Sequence, residues 1–172
     1  MLELMDVRTK QVIWSQFGAS IDALEAAIRA CPDRLWSEAS TSPQHQPWYL
    51  AYHTLFWLDY YLAESKESYV SPPGHALTEF DPRGAYPERV YTKDETLEYL
   101  EHGRQKCRRT IRDLTPDEAE RHRDMRPELP FVEFLLYSMR HVQHHTAQLN
   151  LLLRQGGIEP PRWVSRPAIP LD

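Results

Sequence analysis

The sequence predicts an all-α fold: a four-helix bundle with a long connection between its second and third helices. Three observations carry that prediction. Four long stretches repeat apolar residues at helical spacing, none alternates convincingly as a strand does, and two helix starts carry capping-box patterns. The first helix is expected from about Asp6 to Ala30, where Ile13, Phe17, Ile21, Leu24 and Ile28 make one stripe with Trp14 beside it. Cys31-Pro32-Asp33 ends it, because proline has no N–H to donate to the next turn. A connection rich in Ser, Thr and Pro then runs from Ser37 to Pro47.

Pro47 suits a first helical position, and the second helix is expected from there to about Ser65. One of its faces carries Tyr49, Leu50, His53, Phe56, Trp57 and Tyr60; the other carries Ala51, Leu55, Leu58 and Leu62. A helix apolar on two sides is either central or covered by a partner, which is the sequence's hint of a homodimer. Residues 67–91 read as an irregular crossing, with Ser71-Pro72-Pro73-Gly74 and Asp81-Pro82-Arg83-Gly84 as turns. Thr92-Lys93-Asp94-Glu95 starts the third helix, which reaches about Leu114 with Leu97, Leu100, Cys107 and Ile111 inward. Thr115-Pro116-Asp117-Glu118 starts a short helix ending near Arg121. The fourth long helix runs from about Pro130 to the stop at Gly156-Gly157. The tail Glu159-Pro160-Pro161-Arg162-Trp163 is expected to fold back so that Trp163 covers apolar surface.

At 172 residues the chain reads as one domain, with 41% hydrophobic and 26% charged residues, ordinary for a globular protein. A net charge of −5 without a dense Lys/Arg block argues against a nucleic-acid binder. No apolar run approaches a membrane span, and the acids of Met1-Leu2-Glu3-Leu4-Met5-Asp6 do not suit a signal peptide. Two cysteines without CxxC spacing, Cys31 and Cys107, fit a reduced cytoplasmic setting.

The chemistry gathers on the fourth helix. His141 and His145 are four residues apart, which turns their side chains by only ~40° and separates them by ~6 Å along the axis. With Phe134, Ser138, Leu149 and Leu152 they form the core stripe, whereas His144 falls to the flank. By the same count His53 is centred among Tyr49, Phe56, Trp57 and Tyr60 on the second helix. A single core histidine is most simply explained by a hydrogen bond to a carbonyl or tyrosine. Three of them on the stripes of two helices point instead to a shared divalent ion. His45, His75, His102 and His122 fall in loops or on polar faces and read as surface residues.

Other metal schemes fit less well. Val142 stands where a zinc-protease motif needs Glu, and no inward Glu-x-x-His pairs suggest a di-iron bundle. Cys107 reads as a buried thiol before it reads as a nucleophile. Asp59 and Glu133 lie ~120° off the stripes, leaving no carboxylate base in view, so a metal would itself have to activate the nucleophile. Three nitrogen ligands leave positions open for water or substrate. Tyr49, Tyr60, Ser138 and Gln148 are close enough on the stripes to orient ligands or substrate.

At these residues the sequence resembles the DinB (damage-inducible) family of metal-binding four-helix bundles, related to YfiT-like proteins. The resemblance rests on His53 within HTLFWLDYYL, on HVQHHTAQLNLLLRQGG from His141, and on the PPRW that follows. By helix order it covers nearly the whole chain; by motif it covers the second and fourth helices. It implies one metal ligand on the second helix and two, four apart, on the fourth, matching His53, His141 and His145. Zinc, nickel or iron is the implied metal, and a dimer is common. It also implies thiol-dependent transferase chemistry, since relatives use low-molecular-weight thiols such as bacillithiol or mycothiol. The iron-binding domain of the sulfoxide synthases of ergothioneine synthesis is similar. Despite the family name, nothing in the sequence suggests DNA repair chemistry.

The leading expectation is a cytoplasmic metal-dependent transferase that activates a small thiol towards a small electrophilic substrate. The alternatives are a metal-dependent hydrolase of a small amide or ester, and a non-catalytic, stress-related metal-binding bundle.

Overall fold

The computed structural model describes residues 5–37 and 46–172. Helix α1 (Val7–Ala30) begins where the Asp6 carboxylate accepts the Thr9 backbone N–H at 2.7 Å. Its expected stripe is buried from Ile13 to Ile28, and the Cys31 N–H returns to the carbonyls of Ala27 and Ile28 before Pro32 breaks the ladder. The single turn α2 (Asp33–Trp36) buries Trp36, whose indole N–H donates to the Tyr91 carbonyl at 2.9 Å. Part of the Ser37–Pro47 connection, with His45, lies outside the described residues.

Helix α3 (Pro47–Tyr61) ends four residues before Ser65, its expected limit. The cause is local. Ser65 and Ser68 exchange hydroxyl–backbone bonds at 3.0 and 3.1 Å, and Asp124 takes the Lys66 N–H, so side chains satisfy backbone groups that another helical turn would have used. On one face of α3, Ala51, Leu55 and Leu58 are buried, as are Leu50, Phe56 and Tyr60 on the other, where Tyr49, His53 and Trp57 are half-buried. Part of their cover is the crossing at residues 67–91. The Tyr52 hydroxyl donates to the Ala76 carbonyl at 2.8 Å, the Ala76 N–H donates to the Tyr91 hydroxyl at 2.9 Å, and a 3-10 turn at Thr78–Phe80 sets Glu79 against α3.

The capping boxes form as expected. Thr92 with Glu95 opens α4 (Lys93–Asp113), and Thr115 with Glu118 opens α5 (Pro116–Glu120). An isolated bridge between His122 and Pro130 closes the following loop, and α6 (Phe131–Gln155) starts directly after it.

Four of these helices form the bundle. α1 packs on α6 and α4, and α3 packs on the same two, whereas α1 and α3 barely meet. The cyclic order is therefore α1, α6, α3, α4, which places α1 diagonally across from α3. No helix among the described residues is long and apolar enough to cross a membrane. Two ionic groups tie α4 in. Arg104 meets Asp22 and Glu25 of α1 and Glu101 of its own helix. Asp59 of α3, fully buried, holds Lys106 Nζ at 2.5 Å and the Tyr99 hydroxyl at 3.3 Å.

The tail does fold back, but Trp163 is 80% exposed and covers nothing, contrary to expectation. Anchoring comes instead from residues nearer the end. The Trp14 indole donates to the Ile169 carbonyl at 2.8 Å, the Ala168 N–H donates to Asp22 at 2.7 Å, and Leu171 is buried. Gly18 admits this approach, since a Cβ there would lie 2.8 Å from the Pro167 Cβ.

Candidate metal centre

His53 comes from the middle of α3, and His141 and His145 from successive turns of α6; the α3–α6 contact brings all three together. One ring nitrogen from each lies within 4.8 Å of the other two. The Nε2 atoms of His141 and His145 face each other at 3.0 Å. Two nitrogens bound to one ion at ~2.1 Å are ~2.9 to 3.4 Å apart as the angle opens from right to tetrahedral, so this spacing fits ligands of a single ion.

The rings are aimed by their other nitrogens. Glu79 reaches in from the 3-10 turn with a side chain only 6% exposed. Its Oε2 accepts from His53 Nδ1 at 2.8 Å and from the Trp57 indole at 2.9 Å, and its Oε1 accepts from the Tyr49 hydroxyl at 2.7 Å. A proton held on Nδ1 leaves the His53 Nε2 lone pair free for a metal. Gln148 does the same for His145, its Oε1 lying 2.7 Å from Nδ1. His141 Nδ1 and Ser138 Oγ are buried without hydrogen-bond partners among the described residues. Tyr60 packs among Trp57, Tyr69 and Phe80 and forms no hydrogen bond to the histidines among the described residues.

The electrostatics favour neutral imidazoles. Desolvation, then the neighbouring histidines, push His141 down to about 3. Desolvation outweighs the Gln148 hydrogen bond and takes His145 to about 4. Both rings are therefore uncharged near neutral pH, the state a metal requires. Burial opposes ionisation of Glu79, but the hydrogen bonds from His53, Tyr49 and Trp57 outweigh it and hold the carboxyl below its usual range.

Glu79 brings to the site a carboxylate that the helical stripes did not show, as the partner that orients His53 and not as a free base. Asp59 does lie off the site, in its ion pair with Lys106, but the relevant acid arrives from the crossing. His75 does correct an expectation. Its ring packs between Tyr91 and Tyr99, at centroid distances of 4.9 and 4.4 Å, with both nitrogens buried and without a hydrogen-bond partner among the described residues, so it is no surface residue. Desolvation lowers its pKa. His102 touches Asp59 from a half-exposed position, His122 bonds the Pro127 carbonyl, and His144 is exposed on the flank.

Neither cysteine belongs to the centre. Cys31 is 1% exposed and desolvation pushes its thiol up to about 11, while Cys107 is fully buried and the same cause holds its thiol well above the usual value. Both should resist a disulfide reagent in the native protein at pH 7 and react fully in denaturant. Fast labelling of Cys107 in the native state would restore it as a candidate nucleophile.

The sequence profile of the DinB superfamily matches residues 16–149, a span that includes all three histidines. Searches among curated proteins and among solved structures find no match to the chain.

Proposed function

We propose that this chain, which belongs to the DinB superfamily, is a metal-dependent enzyme that activates a low-molecular-weight thiol towards a small electrophilic substrate. The observation that carries the reading is the three-nitrogen cluster: three imidazoles converge from two helices, and the outer nitrogens of two of them are held by Glu79 and Gln148. Zinc, nickel or iron suits such a donor set. When bound, the ion supplies a Lewis acid that makes a thiol or water ionise near neutral pH. The chain's own residues do the rest. His53, His141 and His145 offer three ligands, so positions remain for a small molecule. The Glu79 carboxylate keeps His53 oriented and adds a negative charge behind it. The Tyr49 and Trp57 donors saturate that carboxylate and hold it in place, so in this reading it orients a ligand and does not act as a free base.

The test is a turnover assay with metal-loaded protein, a panel of small thiols and a chromogenic electrophile. The expected result is thiol-dependent product formation, at least ~100-fold over the uncatalysed rate, that disappears on chelation. Thiol-independent ester or amide cleavage would replace the reading with hydrolysis. No turnover, and no effect of thiols on the spectrum of the cobalt-substituted centre, would leave a binding bundle.

A further inference from the structure

Beside the histidines, one wall of aromatic rings leads to two arginines. Tyr61 packs edge-on to His141 at 5.9 Å, and Tyr137 packs on Tyr61 at 5.7 Å. The Arg126 guanidinium lies over the Tyr137 ring at 4.8 Å while its Nη2 donates to the Tyr137 hydroxyl at 2.7 Å. Arg140 lies at 5.9 Å from the same ring. Neither arginine has a tight acidic partner among the described residues: Arg126 has a loose ion pair, with Glu128. Arg140 has no ion pair there, and the nearest carboxylate to Arg126 is that of the exposed Glu128 at 3.5 Å, beyond normal hydrogen-bond length. A guanidinium has five N–H donors in one plane, and stacking on an aromatic face leaves those at its edge free. In a chain of net charge −5, two cations grouped on one tyrosine ring at the end of this aromatic wall are a local concentration of positive charge.

We infer that Arg126, steadied by Tyr137, is the subsite for a carboxylate carried by the small molecule that binds the metal centre, with Arg140 adding to the positive field. The inference rests on the proposed reading of the histidines as a substrate-binding metal site, and it names the class of ligand: a small anionic one whose chain runs from the metal-binding atom past the Tyr61 and Tyr137 rings to Arg126. Planar, bidentate recognition is what an arginine offers and a lysine does not.

The experiment uses zinc-loaded full-length protein and calorimetric titration with 6-mercaptohexanoate, its neutral counterpart 6-mercaptohexanol, and the thiol-free dicarboxylate adipate. Wild type is expected to bind mercaptohexanoate at least ~10-fold more tightly than mercaptohexanol. In Arg126→Leu that preference should shrink to within about twofold, with zinc content, helicity and mercaptohexanol affinity unchanged. Tyr137→Phe keeps the stacking ring but removes the hydroxyl, and should lose part of the preference. Equal affinities for the two thiols in wild type, or a preference that survives Arg126→Leu, would overturn the subsite. Failure of the thiol reading looks different: neither thiol then depends on its sulfur, while adipate still binds and still weakens in Arg126→Leu. If no probe responds to Arg126, the subsite falls whatever the fate of the thiol reading.

Discussion

Replacing His145 with alanine is expected to remove tight metal binding and leave the fold intact. Structural zinc sites with four ligands hold their ion by about 10–16 kcal/mol, so one of three ligands corresponds to ~3–4 kcal/mol, a loss of ~100- to 1,000-fold in affinity. The fold should survive because α6 is held by Phe134, Leu135, Val142, Leu149 and Leu153, all buried, and not by the histidine. Glu79→Gln provides the graded comparison. It keeps the shape of the clamp but removes its charge, and loss of such an outer partner costs ~10- to 100-fold. The measurement is metal content of protein purified without a nickel column, followed by chelator competition, with circular dichroism as the control. About one ion per chain in wild type, none in His145→Ala and a weakened site in Glu79→Gln is the expected series. Stoichiometric, undiminished binding in His145→Ala would remove that residue from the centre.

The second large effect is on stability. Asp59 is fully buried on α3, and its cation is Lys106 of α4, at 2.5 Å from Oδ1 and 2.8 Å from the Asp59 carbonyl. Lys106→Met leaves that carboxylate without its close cation, next to the Tyr99 hydroxyl and the half-exposed His102, each at 3.3 Å. Breaking a buried pair from one side costs about 3–5 kcal/mol, and the remaining partners place this case near ~3 kcal/mol. For a chain of this size that is a fall in Tm of roughly 6–12 °C. Asp59→Asn combined with Lys106→Met should recover most of the loss, because no uncompensated charge remains. A single variant within 1 kcal/mol of wild type would mean that the pair is screened by water and that α3 and α4 are held by their apolar contacts alone.

Much of this architecture could be read before any coordinates. α1, α4, α5 and α6 end within a residue or two of their expected limits because Asp6, Thr92, Thr115 and Gly156 are local signals, acting through bonds to residues three or four positions away. The histidines were legible because helical periodicity reports which residues share a face, and the metal-compatible cluster lies on the predicted faces. Glu79 was not. It sits on a 3-10 turn inside an irregular crossing, where no period links sequence position to direction. The available signal was composition: an acid between Leu77 and Phe80, in a segment otherwise supplying aromatic and apolar cover to α3. The misplacement of Trp163 has a similar origin. Hydrophobicity showed that the tail needed an anchor, but the anchor was chosen by which residue reached Trp14 and Gly18, and that depends on the path of the whole tail.

The diagonal placement of α1 and α3 also sets a timetable for synthesis. The apolar stripe of α1 is covered by α4 and α6, not by the helix made next. The 62 residues between Ala30 and Lys93 must be translated first, which takes roughly 3–12 s at 5–20 residues per second. Throughout that interval Phe17, Ile21 and Leu24 are attached to the ribosome before either of the helices that form their main cover exists. Two of the three histidines lie on the last helix, so the metal cannot act as a seed for folding. The candidate site is complete only once α6 has been made, so the earlier chain has to stay out of aggregates without it.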